Sequence, residues 1–156
     1  MGLPAHPLIV HAVVVLLPLA AMGVFVLALV PRSRSAYGPL VLIVTTVAVA
    51  MVPLATQSGE GLQESVRETA AVAKHAEIGS TAPFFAAPLL VMAAALWWLG
   101  WRAKRGTPVG KGFALAITIA SVVISIAVGI QIARIGHSGA ESVWGNVGTS
   151  SGSDGG

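Results

Sequence analysis

Four histidines are the residues of this chain best suited to bind a cofactor or a metal ion: His6, His11, His75 and His137. Imidazole is a common protein ligand for transition metals and for haem iron. The chain has no cysteine, which excludes disulfides, thiolate metal sites, cysteine-held iron–sulfur clusters and covalent c-type haem. A bound cofactor would therefore depend on histidine, carboxylate, methionine, hydroxyl and backbone ligands.

The spacing of the histidines favours pairing between helices rather than within one. On an ideal helix the side chains of His6 and His11 point about 140° apart, so they are poorly placed to chelate one ion together. Two facing imidazoles from different helices suit a b-type haem. Three of them, from His11, His75 and His137, suit a metal ion with water in an open position. We therefore take all four histidines as candidate cofactor ligands and these three as the alternative metal ligands.

Four further polar residues are candidates to orient the imidazole rings: Glu68, Glu77, Gln131 and Glu141. The alternative is that the histidines are interfacial residues hydrogen-bonded to carbonyls or to these glutamates, which then form a solvated face. The sequence contains no Walker loop, dinucleotide fingerprint, HExxH or GxSxG motif. No catalytic residue is assigned, and the sequence leaves enzymatic activity open.

The composition indicates an integral membrane protein. Of the 156 residues, 55% are hydrophobic and 10% are charged, whereas a soluble domain is about 25% charged. Apolar runs at about 8–30, 39–55, 83–101 and 113–135 are long enough, with their flanks, to cross a bilayer as helices. The first run is expected to be a retained helix, because no Lys or Arg precedes it and further runs follow. The prediction is an all-α membrane four-helix bundle.

The basic residues predict how the bundle is oriented. Six of the nine lie in two short turns: Arg32, Arg34, Arg102, Lys104, Arg105 and Lys111. The positive-inside rule places these turns in the cytoplasm, with Trp97, Trp98 and Trp101 at the neighbouring interface. Both termini, the middle segment and all four histidines then face outward. The basic residues indicate topology, and no nucleic-acid partner is expected.

The middle segment and the C-terminus complete the predicted organisation. Residues 60–76 are rich in helix-forming side chains and predict a short amphipathic outer helix between spans 2 and 3, or an extension of the third span. The small polar side chains of Thr118, Ser121 and Ser125 predict close helix packing in the fourth span. Residues 1–140 form the predicted four-span domain, and 141–156 a flexible polar tail.

Four segments of the chain resemble one bacterial family. They are LPAHPLIVHAVVVLLPLA at the start, TQSGEGL, KHAEIG and RIGHSGAESVWG. They are similar to the predicted membrane proteins grouped as domain of unknown function number 2231, over roughly residues 3–146. The chain departs from the family pattern at Ala12, where an aromatic residue is usual, and at Ala140, where glycine is common. The resemblance implies a bacterial membrane location, a possible neighbourhood of redox proteins, and the four histidines as family-marking positions.

These observations lead to two hypotheses of different classes. The first is a protein of the bacterial cytoplasmic membrane that binds a b-type haem or a transition metal ion in an electron-transfer role, with redox membrane proteins as partners. The second is a cofactor-free structural or accessory membrane subunit, whose histidines connect the outer helix to the bundle.

Overall fold

A computed structural model of the protein describes residues 5–63 and 70–144; side chains are not described at 5–7, 59–63, 71 and 141–144. The described chain is all helical. It contains α1 (Ala5–Leu29), α2 (Arg34–Gln63), α3 (Ala70–Ser80), α4 (Ala82–Lys104) and α5 (Lys111–Trp144), with a 3-10 turn at Pro31–Ser33. No strand is present in these two described stretches, which confirms the all-α prediction.

Four helical segments are long and apolar enough to cross a membrane: Leu8–Leu29, Pro31–Ser58, Val72–Lys104 and Lys111–Ala140. They match the four predicted spans. The helices extend further than the apolar runs, because polar residues at the flanks continue the helical hydrogen bonding. Thus α2 runs from Arg34 to Gln63 rather than over 39–55.

The middle segment is only partly described. Residues 60–63 belong to α2, residues 64–69 lie outside the described residues, and α3 begins at Ala70. A single residue, Thr81, separates α3 from α4, and Val72–Lys104 is continuous enough to count as one spanning segment. An amphipathic helix lying on the membrane surface remains a prediction. At the other end, α5 continues to Trp144, and the rest of the predicted tail lies outside the described residues.

The four long helices form a ring, and α1 and α4 also contact each other across it. Helix α1 packs on α2 and α5, and α4 packs on the same two helices. Within the described residues the backbones of α2 and α5 do not come close together, so these two helices occupy opposite corners and are bridged by the side chain of Arg34. The short α3 packs mainly against α5.

The interior of the ring is apolar and so is its outer surface. Fully buried side chains include Val24, Leu27, Leu89 and Leu96. Large apolar side chains are also exposed along every long helix, such as Met22 (64% exposed), Ile43 (62%) and Val123 (60%). An apolar outer surface of this extent suits hydrocarbon rather than water, so the protein lies in a lipid bilayer.

Candidate functional site

The imidazole ring of His75 connects two helices. It is half-buried on α3, and its Nδ1 lies 3.0 Å from the Oγ of Ser138 on α5. The Ser138 hydroxyl donates to the carbonyl of Ile135 at 3.0 Å. Because a hydroxyl has one hydrogen, the Nδ1–H of His75 donates to Ser138. In the tautomer that donates through Nδ1–H, the lone pair lies on Nε2.

The imidazole lies directly over a glycine of α5. A Cβ atom at Gly139 would be 3.2 Å from Cε1 of His75 and 3.5 Å from Nδ1. The missing side chain lets α3 and α5 approach closely enough for the His75–Ser138 hydrogen bond.

Gln131 makes a second connection between α5 and the junction of α3 with α4. Its side chain is buried, with 4% exposed. The Nε2 donates to the Oγ1 of Thr81 at 2.6 Å and to the carbonyl of Ile78 at 3.3 Å. Gln131 was predicted to orient a histidine. Its observed hydrogen bonds are instead to Ile78 and Thr81, at the junction of α3 with α4. We call the group His75, Thr81, Gln131 and Ser138 the histidine end of the bundle.

The side chains of His11 and His137 are exposed, on α1 and α5 respectively. His137 precedes Ser138, but consecutive residues of a helix point about 100° apart, so one is exposed while the other is buried. The backbone of His6 lies in α1, and its side chain is not described.

The predicted carboxylates do not complete a site either. Glu77 is exposed on α3, and its carbonyl accepts a hydrogen bond from Ser80. Glu68 lies outside the described residues, and the side chain of Glu141 is not described. Within 5–63 and 70–144 no group of three or more His, Asp or Glu side chains is arranged to hold a metal ion. The three-histidine metal site predicted from His11, His75 and His137 is therefore not formed in the described structure. The physical reason is that His75 is directed toward Ser138 while the other two rings are exposed.

The predicted packing stripe of α5 lies against the other helices. Ser121 and Ser125 are buried, and Thr118 is half-buried. Thr118 and Ser121 donate to carbonyls one turn earlier in α5, at 2.9 and 2.7 Å. The Oγ of Ser125 is buried without a hydrogen-bond partner in the described structure.

Arg34 is the residue whose role the sequence did not reveal. It was assigned to a cytoplasmic turn, but it begins α2 and is 6% exposed. Its Nε donates to the carbonyl of Leu27, and its Nη2 donates to the carbonyl of Ala28, both at 2.8 Å. Nη2 also donates to the Oγ1 of Thr118 at 2.9 Å. The last carbonyls of a helix lack partners within it, so the guanidinium caps α1 and connects it to α2 and α5.

Gly100 allows α4 to pass close to Arg34. A Cβ at this position would lie 2.6 Å from Cβ of Arg34 and 2.7 Å from both its carbonyl carbon and the amide nitrogen of Ser35. No side chain fits in that space. We call the group Arg34, Gly100 and Thr118 the basic end of the bundle.

Aromatic and basic side chains surround the basic end. Arg105 lies over the ring of Trp101, 4.1 Å from its centroid, and Arg102 lies over Trp98 at 5.5 Å. Trp97 is on the same turns of α4 and is partly exposed. Such tryptophans favour the membrane–water interface, so they mark the headgroup level at this end.

Comparison with known proteins supports the membrane assignment. A family model described as "Predicted membrane protein (DUF2231)" matches residues 2–151. No curated protein and no solved structure matches the chain. Four apolar helices of spanning length and a family match over nearly the whole sequence lead to one conclusion: the chain belongs to the DUF2231 family of predicted membrane proteins.

Proposed function

We propose that the protein is a cofactor-free structural or accessory subunit of the bacterial cytoplasmic membrane. The observation that carries this proposal is the hydrogen bond from His75 to Ser138. It gives the His75 ring a structural role, connecting α3 to α5. The buried amide of Gln131 connects the adjacent helix junction to α5 in the same way.

These contacts are of the kind that hold helices together in a bilayer. Between membrane helices, apolar side chains gain little by leaving lipid, so association depends on close packing and hydrogen bonds worth about 0.6 kcal/mol each on average. Gly139 supplies the close packing, and His75 and Gln131 supply the hydrogen bonds. Together they fix α3, which is too short to cross the membrane itself.

The proposed orientation has both termini and the histidine end outside the cytoplasm. Six of the nine basic residues lie at 32–34 and 102–111, at the opposite end of the helices. Short loops rich in Lys and Arg remain in the cytoplasm. An accessory subunit oriented in this way presents α3 and the following helix junction to the outer face of the membrane.

A b-type haem or metal ion with an electron-transfer role is the second candidate function. One observation favours it: Nδ1–H of His75 is hydrogen-bonded, which is the usual arrangement when the other ring nitrogen binds a metal. The lone pair on Nε2 would be the ligand, and a histidine from another helix would complete an axial pair. Redox membrane proteins would then be the partners.

Spectra and elemental analysis of protein purified in mild detergent separate the two candidates. The accessory-subunit proposal predicts no Soret band and less than stoichiometric transition metal. It also predicts that His75→Gln and His11→Ala leave the visible spectrum unchanged. A Soret band that His75→Gln abolishes would support the haem candidate and contradict the proposal.

A second measurement tests the subunit role itself. Native electrophoresis of membranes dissolved in mild detergent should show the chain in an assembly larger than its 15.8 kDa monomer. Migration as the detergent-bound monomer under these conditions would contradict an accessory role in a complex.

A further inference from the structure

A groove opens at the basic end of the bundle, between the end of α1 and the start of α5. Its volume is about 470 Å³, and its lining includes Leu29, Arg34, Lys111 and Leu115. Leu29 and Leu115 are more than half exposed, so they form apolar walls open to lipid. Lys111 is exposed at the first residue of α5.

The guanidinium of Arg34 is held in position by hydrogen bonds, but not all of its N–H donors are used. Arginine has five N–H bonds, one on Nε and two on each Nη. The three observed hydrogen bonds account for Nε–H and both N–H bonds of Nη2. Among the described residues, Nη1 has no acceptor. Because the protein already holds the guanidinium, a ligand would not have to order it.

The protein supplies no acidic side chain near this groove in sequence. All six Asp and Glu residues lie at 60–77 or 141–154, whereas the residues that line the groove lie at 28–34 and 111–118. In the described structure, Arg34 and Lys111 form no salt bridge with a carboxylate. Among the described residues, these two positive charges at headgroup level therefore have no anionic partner.

We propose that the groove binds the phosphate of an anionic phospholipid. The phosphate lies between Nη1 of Arg34 and the ammonium of Lys111, and the acyl chains follow Leu29 and Leu115 into the hydrocarbon. Arginine and lysine both bind phosphate, the first through directed N–H bonds and the second as a point charge. The neighbouring tryptophans place these cations at the level where lipid phosphates lie. Basic pockets between membrane helices are a recognised form of lipid site.

The lipid is preferred over free phosphate because of the groove's shape. An inorganic anion would gain no binding energy from apolar walls that face the bilayer. The exposed Leu29 and Leu115 instead continue the lipid-facing surface of α1 and α5 directly from the two cations.

Native mass spectrometry of the detergent-purified full chain tests the proposal. The probes are phosphatidylglycerol and phosphatidylcholine with identical acyl chains. Wild type should retain phosphatidylglycerol more strongly. Lys111→Gln should weaken its binding roughly fivefold, since a basic residue near a lipid surface is worth about 1 kcal/mol. The matched control is Lys104→Gln, an exposed lysine at the same end outside the groove, which should have no effect.

A second variant tests the apolar walls without changing charge. Leu115→Trp should fill part of the groove and weaken phosphatidylglycerol binding while leaving the helix content unchanged. Equal retention of the two lipids would overturn the proposal, as would an equal effect of Lys104→Gln and Lys111→Gln. Complete displacement of the lipid by millimolar inorganic phosphate would identify a free-anion site instead and would also overturn it.

Discussion

Both ends of the bundle are held by side-chain hydrogen bonds between helices, but the donor groups differ. At the basic end, Arg34 of α2 donates to Thr118 on α5 and to the carbonyl of Ala28 near the end of α1. At the histidine end, Gln131 of α5 donates to Thr81 and to the carbonyl of Ile78, where α3 gives way to α4. Thr118 and Ser138 are twenty residues apart on α5, about 30 Å, which is the thickness of the hydrocarbon core. The two sets of contacts therefore lie near opposite faces of the membrane.

The basic end uses a guanidinium, and the histidine end uses an imidazole and an amide. The buried side chain of Arg34 makes three hydrogen bonds of 2.8–2.9 Å. Gly100 of α4 packs closely against the backbone at Arg34. His75 makes one bond of 3.0 Å from a half-buried ring. The difference indicates that the basic end fixes the positions of three long helices, while the histidine end fixes α3 and its junction with α4 against α5.

The largest effect is expected from removing the buried guanidinium. Arg34→Ala leaves the carbonyls of Leu27 and Ala28 without their donor, and hydrogen bonds from charged groups are worth roughly 1.5–3 kcal/mol each. We expect the free energy of unfolding to fall by about 3 kcal/mol or more, measured by SDS titration. The control is Arg32→Ala, which removes an exposed arginine two residues away and should have little effect. Equal losses from the two variants would show that burial of Arg34 contributes nothing.

A methyl group at Gly100 should produce the next largest effect. The added Cβ in Gly100→Ala would lie within 2.7 Å of backbone atoms, which cannot rotate away. Overpacking of this kind costs about 2 kcal/mol. Gly129→Ala is the matched control, because nothing lies within 4 Å of the added atom there. A thermal midpoint for Gly100→Ala as high as that of the control would mean that α2 and α4 are not in close contact.

At the histidine end, loss of the buried amide should cost less. Gln131→Ala removes two hydrogen bonds, and we expect the free energy of unfolding to fall by about 1.5 kcal/mol. Gln57→Ala, which removes an exposed amide on α2, should leave stability unchanged. An effect larger than that of Arg34→Ala would reverse the proposed order of the two ends.

The contact of His75 with Gly139 predicts a smaller effect. The Cβ of Gly139→Ala would be 3.2 Å from an imidazole carbon, so the ring must move by a few tenths of an ångström. The expected cost is below about 1 kcal/mol. Gly136→Ala adds the same atom where nothing lies within 4 Å. Thermal unfolding of the two variants should therefore differ by a small amount, with the Gly139 variant less stable.

The sequence predicted the four spans because each contains an apolar run that is long enough, with its flanks, to cross a bilayer as a helix. It did not predict where the helices end, since polar residues such as those at 56–63 continue α2. It selected His75 and Gln131 by residue type, but not their partners Ser138 and Thr81. Those pairs depend on the register between helices, which hydrophobic periodicity does not determine. Arg34 was missed because its position in a basic turn already had an explanation in topology.

The hydrogen bond between His75 and Ser138 is the central claim, and a double-mutant cycle measures it most directly. The free energy of unfolding is measured for wild type, His75→Ala, Ser138→Ala and the double variant. A structural contact predicts a coupling energy of about 0.6 kcal/mol, in a protein whose visible spectrum does not change across the cycle. A coupling energy of zero, with the two single losses simply adding, would contradict the account.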